Sequence, residues 1–291
     1  MSIDTPLLAG AAEHAPWHLF TLCLAGDGAV TPANLWHAWS LAPAVVVPLL
    51  LWLAACCRGE AAGGAAPQPE SADTARRRGW LTAGWLLLVV ALVSPLCRLS
   101  ATLVTAHMVQ FMLLAGAAGA CLALGRTKPV AARAGGTRTR VRWWRAGSGL
   151  AVTAAGYGAV IWVWHAPVIY HAILTDPLWH WLGFAVLIAA SMLFWVRVVD
   201  HHHRGNAGGA VAAVLTTMLH TGLLGALLTF APRPLYPVLA EGAAAWKLSA
   251  LEDQQLAGLV MWVGGGAFYL LVALVLVAVW LQRAAPLTDA A

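Results

Sequence analysis

Apolar stretches long enough to cross a bilayer recur along the chain, each bounded by polar, proline-bearing or basic residues. Seven can be distinguished, at about 36–57, 79–97, 101–124, 147–164, 178–199, 210–230 and 256–281. A spanning helix needs roughly 18 or more mostly apolar residues in a row. Backbone groups in lipid must be satisfied within their own segment. These runs are too long and too uniformly apolar for barrel strands, so they are predicted as helices. Pro43 and Pro48 predict a kink in the first span, while Pro95 and Pro167 mark exits from the second and fourth. GGGAF (264–268), inside the last span, reads as small-residue helix packing. The expected fold class is all-α, a polytopic transmembrane helical bundle of seven spans over 36–283. An outer segment, 1–35, precedes it and a short tail, 284–291, follows.

Composition agrees with this pattern. Of 291 residues 60% are hydrophobic and 10% charged, against about 25% charged in an ordinary soluble domain, and the mean hydropathy is +0.74. The net charge of +5 reports topology rather than a nucleic-acid partner, because the basic residues are segregated. Fourteen of the 17 fall in 58–78, 126–145, 197–204 or after the last span; only Arg98, Arg233 and Lys247 fall between the others. The positive-inside rule then places the N-terminus outside and the C-terminus inside, as seven spans require. The stretch 61–75 reads as a flexible cytoplasmic linker, and TRTRVRWWR (137–145) as an orientation anchor at the lipid surface. No cleavable signal peptide is expected at MSIDTPLLAGAAEHAP, which lacks a basic start. The five cysteines show no CxxC and no paired framework. Disulfides are not expected at Cys56, Cys57 or Cys121, which lie near inner span ends.

Candidate chemistry collects on the outer half. With the topology set, His107 lies about 9 Å below the outer surface at 1.5 Å per residue, and His220 lies near the middle of the sixth span. His165 and His180 sit at the outer ends of the fourth and fifth spans, with His171 in the loop between them. Met261 sits just below Asp253, Gln254 and Gln255; Met108, Gln110 and Met112 share the third span with His107. Polar side chains within a span usually face the bundle interior and mark a site. Imidazole with thioether is the donor set that suits cuprous ion. The candidate metal ligands are therefore His107, His220, Met261, Met108, Met112, His165 and His180, with Gln110, Asp253, Gln254 and Cys97 as supporting residues. His107 and Met112 point about 140° apart on an ideal helix, so a site needs ligands from several helices. HHH (201–203) reads as a solvated cytoplasmic loop, and His14 and His18 as either outer ligands or merely polar groups. Asp176 and Asp253 have no identifiable nucleophile partner and read as helix ends or as orienters of histidines. An enzyme is not expected.

SPL (94–96), AHMVQ (106–110) with LL (113–114), WHAPVIY (164–170) with FW (194–195), and LEDQQLAGLVMW (251–262) before GGGAFYL resemble the signature of CtaG-type cytochrome c oxidase assembly proteins. The resemblance runs from about 36 to 281. Where the family pattern carries a second His after HMxQ this chain has Phe111, and where it carries an acidic residue after SPL it has Cys97, which could offer a thiolate. The resemblance implies a seven-helix bacterial inner-membrane protein that assists maturation of a haem–copper oxidase. It would handle Cu(I) and partner with oxidase subunits and a periplasmic copper donor. The alternatives are a transporter for copper or another small solute, and a b-type cytochrome with His107 and His220 as axial ligands.

Overall fold

The structure is a computed structural model. It describes residues 22–24, 28–61, 71–126 and 149–284, with the side chains of 55–61 excepted. His14, His18 and the basic 137–145 stretch lie outside the described residues, as do the side chains of Cys56 and Cys57. Among the described residues the regular structure is entirely helical. Helix α1 runs Pro43–Ala61, α2 Ala72–Leu92 and α3 Pro95–Ser100. The chain continues with α4 (Val104–Gly125), α5 (Leu150–His165), α6 (Pro167–Thr175) and α7 (Pro177–His203). The remainder is α8 (Ala207–Thr229), the short α9 (Ala240–Ala245) and α10 (Ala250–Ala284).

Four helices, α4, α7, α8 and α10, are long and apolar enough to cross a membrane; a fifth candidate is α5 with α6, which meet at a 72° bend. The bend follows from Pro167. Its ring disfavours helical backbone at Ala166, which is extended at φ −63° and ψ 127°, and Pro167 restarts the helix at its first position. His171 is therefore helical rather than in a loop. Pro43–Ala54 forms a shorter apolar helix. Helix α2 starts earlier than its apolar core, within the expected linker: the Ser71 side chain caps it at the Thr74 N–H, and Asp73 pairs with Arg76 and Arg77. Those two partners, the Arg76 hydrogen bond foremost, hold the exposed Asp73 carboxyl below its ordinary range.

The core is built on α4, which packs against α2, α7 and α10; α8 packs against α5, α7 and α10. Small residues bring the backbones together. A Cβ added at Gly225 of α8 would lie 2.7 Å from the Trp262 nitrogen, and one at Gly258 of α10 would lie 2.6 Å from the Gly225 oxygen. Of the GGG run only Gly265 packs, against Met112; a Cβ at Gly264 or Gly266 would meet nothing. The close crossing is made one and a half turns earlier.

Both α4 and α10 relax into π-helical turns, at Leu113–Ala118 and Val260–Gly264. The wider turn in α4 accompanies heavy use of the Ala115 carbonyl, which accepts from Tyr157 Oη (2.8 Å), Ser191 Oγ (2.7 Å) and Trp195 Nε1 (2.9 Å). Tyr269 of α10 joins through Tyr157 at 3.1 Å. This hub ties four helices together inside the bundle.

At one pole Arg126, ending α4, donates to Asp200 of α7 at 2.5 Å, and Arg77 of α2 reaches the Arg126 carbonyl. The basic residues thus gather at one end, where α2 and α8 begin and α4, α7 and α10 finish. The HHH run belongs to this pole but is helical, as the last turn of α7. Successive helical residues point about 100° apart, so the three rings do not converge. His201 bonds the Arg197 carbonyl and His202 the Leu276 carbonyl.

Candidate functional site

The opposite pole holds the candidate site. Its floor is the first turns of α4, and the way α4 begins is unusual. Leu103 precedes the helix and offers no side-chain cap. The first orphan N–H groups are satisfied instead by a neighbouring helix: Asp253 of α10, fully buried, accepts from Val104 N (2.7 Å) and Thr105 N (3.0 Å). The Thr105 hydroxyl returns a bond to the Asp253 carbonyl at 2.9 Å. Asp253 therefore caps α4 from its place in the first turn of α10. That turn is itself closed by a reciprocal Ser249–Glu252 capping box. Next to it, Gln254 accepts from Leu235 N and donates to the Leu228 carbonyl, pinning the connection after α8.

Above this floor two aromatic rings contact His107. Trp164 Nε1 donates to His107 Nε2 at 3.0 Å, and Tyr170 lies 4.8 Å away between ring centroids. An indole N–H can only donate, so His107 Nε2 is the accepting nitrogen and the neutral ring carries its proton on Nδ1. His165 is oriented from the other side. Its Nδ1 meets the Ile161 carbonyl at 2.7 Å, which can only accept, leaving Nε2 with a bare lone pair 3.3 Å from Met108 Sδ. His180 repeats the arrangement: Nδ1 bonds the Ile173 carbonyl at 2.8 Å and Nε2 has no partner. The His107 ring feels both His165 and His180 electrostatically. Tyr170 Oη is likewise buried without a hydrogen-bond partner. The loop residue Tyr236 stacks on Tyr170 (4.0 Å) and donates to the His165 carbonyl at 2.7 Å. Burial pushes its phenol above the ordinary range, so it remains a donor.

The structure thus brings together His107, Met108, His165 and His180 from α4, α5 and α7. The other candidates make contacts of their own. Met112 packs over Gly265, and half-buried His220 packs over Gly158 of α5, its Nε2 3.1 Å from where a Cβ would be. Met261 is fully buried in the π turn of α10. Gln110 donates to the Ala91 carbonyl (2.7 Å) and toward Cys23 Sγ (3.3 Å). Cys97 offers no free thiolate, because it forms a disulfide with Cys23, with Cα atoms 4.8 Å apart. The expectation of no paired cysteines is corrected on this point. Spacing gives no sign of a bond across 74 residues; only the fold of 22–24 against α3 reveals it. Asp176 ends a helix as expected, capping α7 at Leu178 N and Trp179 N.

Phe111 takes an edge-on position against His165, with ring centroids 4.9 Å apart, and fills space beside Trp164. Trp164, Tyr170 and Tyr236 are the members that sequence reasoning passed over. At the end of a span Trp164 has the position of an interfacial tryptophan, yet it is only 3% exposed. Among the described residues no group of three or more His, Cys, Asp and Glu side chains is arranged to hold a metal ion. The donor set on offer is imidazole nitrogen with thioether sulfur.

No match to the chain is found among curated proteins or among solved structures. The sequence model of one family does match, over residues 49–283, a range that takes in the α4 floor, the histidine cluster and the α10 cap. The chain belongs to the family of cytochrome c oxidase caa3 assembly factors.

Proposed function

We propose that this chain serves oxidase assembly as a non-enzymatic Cu(I) handler in the bacterial inner membrane, with seven spans, the N-terminus outside and the C-terminus inside. One observation carries the copper reading: the bare Nε2 of His165 faces Met108 Sδ at 3.3 Å, with the other ring nitrogen locked on a backbone carbonyl. Ligating histidines are characteristically oriented in this way through their second nitrogen, and the pair is soft enough for cuprous ion. With bonds of about 2.0 Å to imidazole and ~2.3 Å to sulfur, as zinc makes, the separation fits both donors on one ion at an angle of about 100°. His180 Nε2 is a second bare nitrogen in the same cluster. A low-coordinate site suits a carrier, because cargo leaves by ligand exchange to an oxidase subunit. The Cys23–Cys97 disulfide supports the orientation, since disulfides persist on the oxidising side of a membrane and this one lies away from the basic pole. A periplasmic copper donor would load the site.

The test is copper stoichiometry of detergent-purified protein after anaerobic Cu(I) loading. The wild type is expected to hold about one ion and Met108→Leu and His165→Gln to lose it. A wild type without tightly held copper refutes the reading. In cells, deletion should leave oxidase subunits present but short of copper; a fully copper-loaded oxidase in the deletion strain refutes the role.

A further inference from the structure

The basic pole holds a second feature, far in kind from the histidine–methionine cluster. A cavity of about 260 Å³ opens between the ends of α7 and α10, lined by His202, His203, Gly205, Trp280, Arg283 and Ala284. Liquid water takes about 30 Å³ per molecule, so the space admits a group much larger than one solvent molecule. Its charge is one-sided. The carboxylates of this pole in the described residues are already engaged, Asp73 by Arg76 and Arg77 and Asp200 by Arg126. Arg283 makes no ion pair among the described residues; its charge and that of Arg76 bear on the His203 ring, opposed by the Asp200 carboxylate that Arg126 already pairs. A guanidinium and an imidazole left facing a cavity form a receptor for an oxyanion, the guanidinium fork matching two oxygens of a phosphate.

The rest of the lining indicates where that phosphate sits. His202 belongs to the wall, and its Nε2 donates to the Leu276 carbonyl at 2.9 Å, one turn before Trp280 on α10. This cross-link fixes the α7 end against α10, so the cavity has a rigid side. Gly205 supplies the turn that opens the mouth, at φ +88°, where a side chain would be strained. Trp280 is 48% exposed at the end of a 35-residue apolar helix, the placement of an indole at the headgroup level.

We propose that this cavity binds a phosphate ester, with the Arg283 guanidinium as its cationic partner, the His203 imidazole as a hydrogen-bond donor and Trp280 beside the glycerol or acyl carbons. The shared chemistry admits two sources, the phosphodiester of an anionic lipid or a soluble phosphate, and Trp280 favours the lipid. The site needs no copper and makes no use of the His165–Met108 pair.

Full-length protein in detergent is equilibrated with dioleoylphosphatidylglycerol, with dioleoylphosphatidylcholine, or with inorganic phosphate. Bound lipid is counted by native mass spectrometry and phosphate by equilibrium dialysis. The wild type is expected to retain phosphatidylglycerol over phosphatidylcholine, and Arg283→Gln to weaken that retention about tenfold or more, the loss of a charge-assisted contact. His203→Gln should weaken it less, and Arg283→Lys should restore part of it. Retention of phosphatidylglycerol that millimolar phosphate does not displace assigns the site to lipid; saturable phosphate binding lost in Arg283→Gln assigns it to a soluble ester. Equal lipid retention and equal phosphate uptake in the wild type, Arg283→Gln and His203→Gln overturn the proposal. Arg283 lies at an exposed helix end, so thermal unfolding in phosphatidylcholine alone should match the wild type; if Arg283→Gln does not fold, the His203→Gln comparison decides.

Discussion

Asp253 separates a structural from a metal-linked role for the carboxylate nearest the candidate site. Its two oxygens accept separate backbone N–H groups at the start of α4, at 2.7 and 3.0 Å, and it is fully buried. Replacing it with Ala removes both acceptors and leaves two N–H groups without partners where water does not reach. Orphaned buried donors cost about 1–3 kcal/mol each, and loss of a helix cap by itself costs ~1 kcal/mol. The carboxylate also opposes the partial positive charge at the α4 N-terminus. Against this stands relief from burying a charge, which offsets part of the loss. Asp253→Ala should therefore destabilise the bundle by about 2–4 kcal/mol. Asp253→Asn keeps one accepting oxygen and turns an amide NH₂ toward the other donor, so about 1–3 kcal/mol is expected. The assay is reversible unfolding in mixed dodecyl maltoside and dodecyl sulfate micelles, followed by far-ultraviolet circular dichroism, with Cu(I) stoichiometry measured on the folded fraction. Asp253→Asn should show lowered stability and unchanged copper. Wild-type stability in Asp253→Ala refutes the capping argument. Copper loss from a fully stable Asp253→Asn makes the carboxylate part of the metal site instead.

Other expectations follow from the same contacts. Gly258→Ala should lower stability by about 1–3 kcal/mol, because its Cβ would press on the Gly225 oxygen and the Thr229 nitrogen, both within 2.6 Å; Gly264→Ala, which meets nothing, is the control in a thermal melt. Thiol labelling followed by peptide mass mapping should find Cys121 reactive in unfolded, unreduced protein and Cys23 and Cys97 reactive only after reduction. Cys97→Ser should cost about 2–4 kcal/mol while leaving Cu(I) stoichiometry unchanged. Tyr157→Phe removes one of three donors to the Ala115 carbonyl and should cost only ~1 kcal/mol; an equal or larger effect of Tyr157→Phe on copper binding would show that the π turn transmits to the site. Purified protein should show no haem Soret band, since His107 Nε2 is engaged by Trp164 and His220 packs on α5.

Much of the site was legible in the residues themselves. His107, Met108, His165 and His180 stood out because an imidazole or thioether in an apolar span needs a reason, and burial supplied one. What periodicity could not supply was the pairing. His107 looked like the centre of the chemistry, yet Trp164 occupies its accepting nitrogen, and the free lone pairs belong to His165 and His180. Trp164 was hidden among sixteen tryptophans because a residue at a span end looks interfacial whichever way its ring points. His220 had the same sequence signal as His107 but faces Gly158. Depth along a helix is readable from rise per residue; azimuth across a bundle is not.

The sequence by itself determined the helical class, the long apolar helices and the segregation of charge, because burying apolar length in lipid and keeping basic residues out of it are local demands on each segment. It also determined the family, through motifs spread over the whole apolar part. Only the tertiary structure decided which groups meet. Asp253 caps α4 across 149 residues, Cys23 joins Cys97, and Met108 meets His165 across 57. The first and last depend on the packing of α4 against its neighbours, the disulfide on that of 22–24 against α3. Such packing rests on distant complementarity, as where Gly119 of α4 lies against Ser191 and Trp195 of α7, and no single segment encodes it.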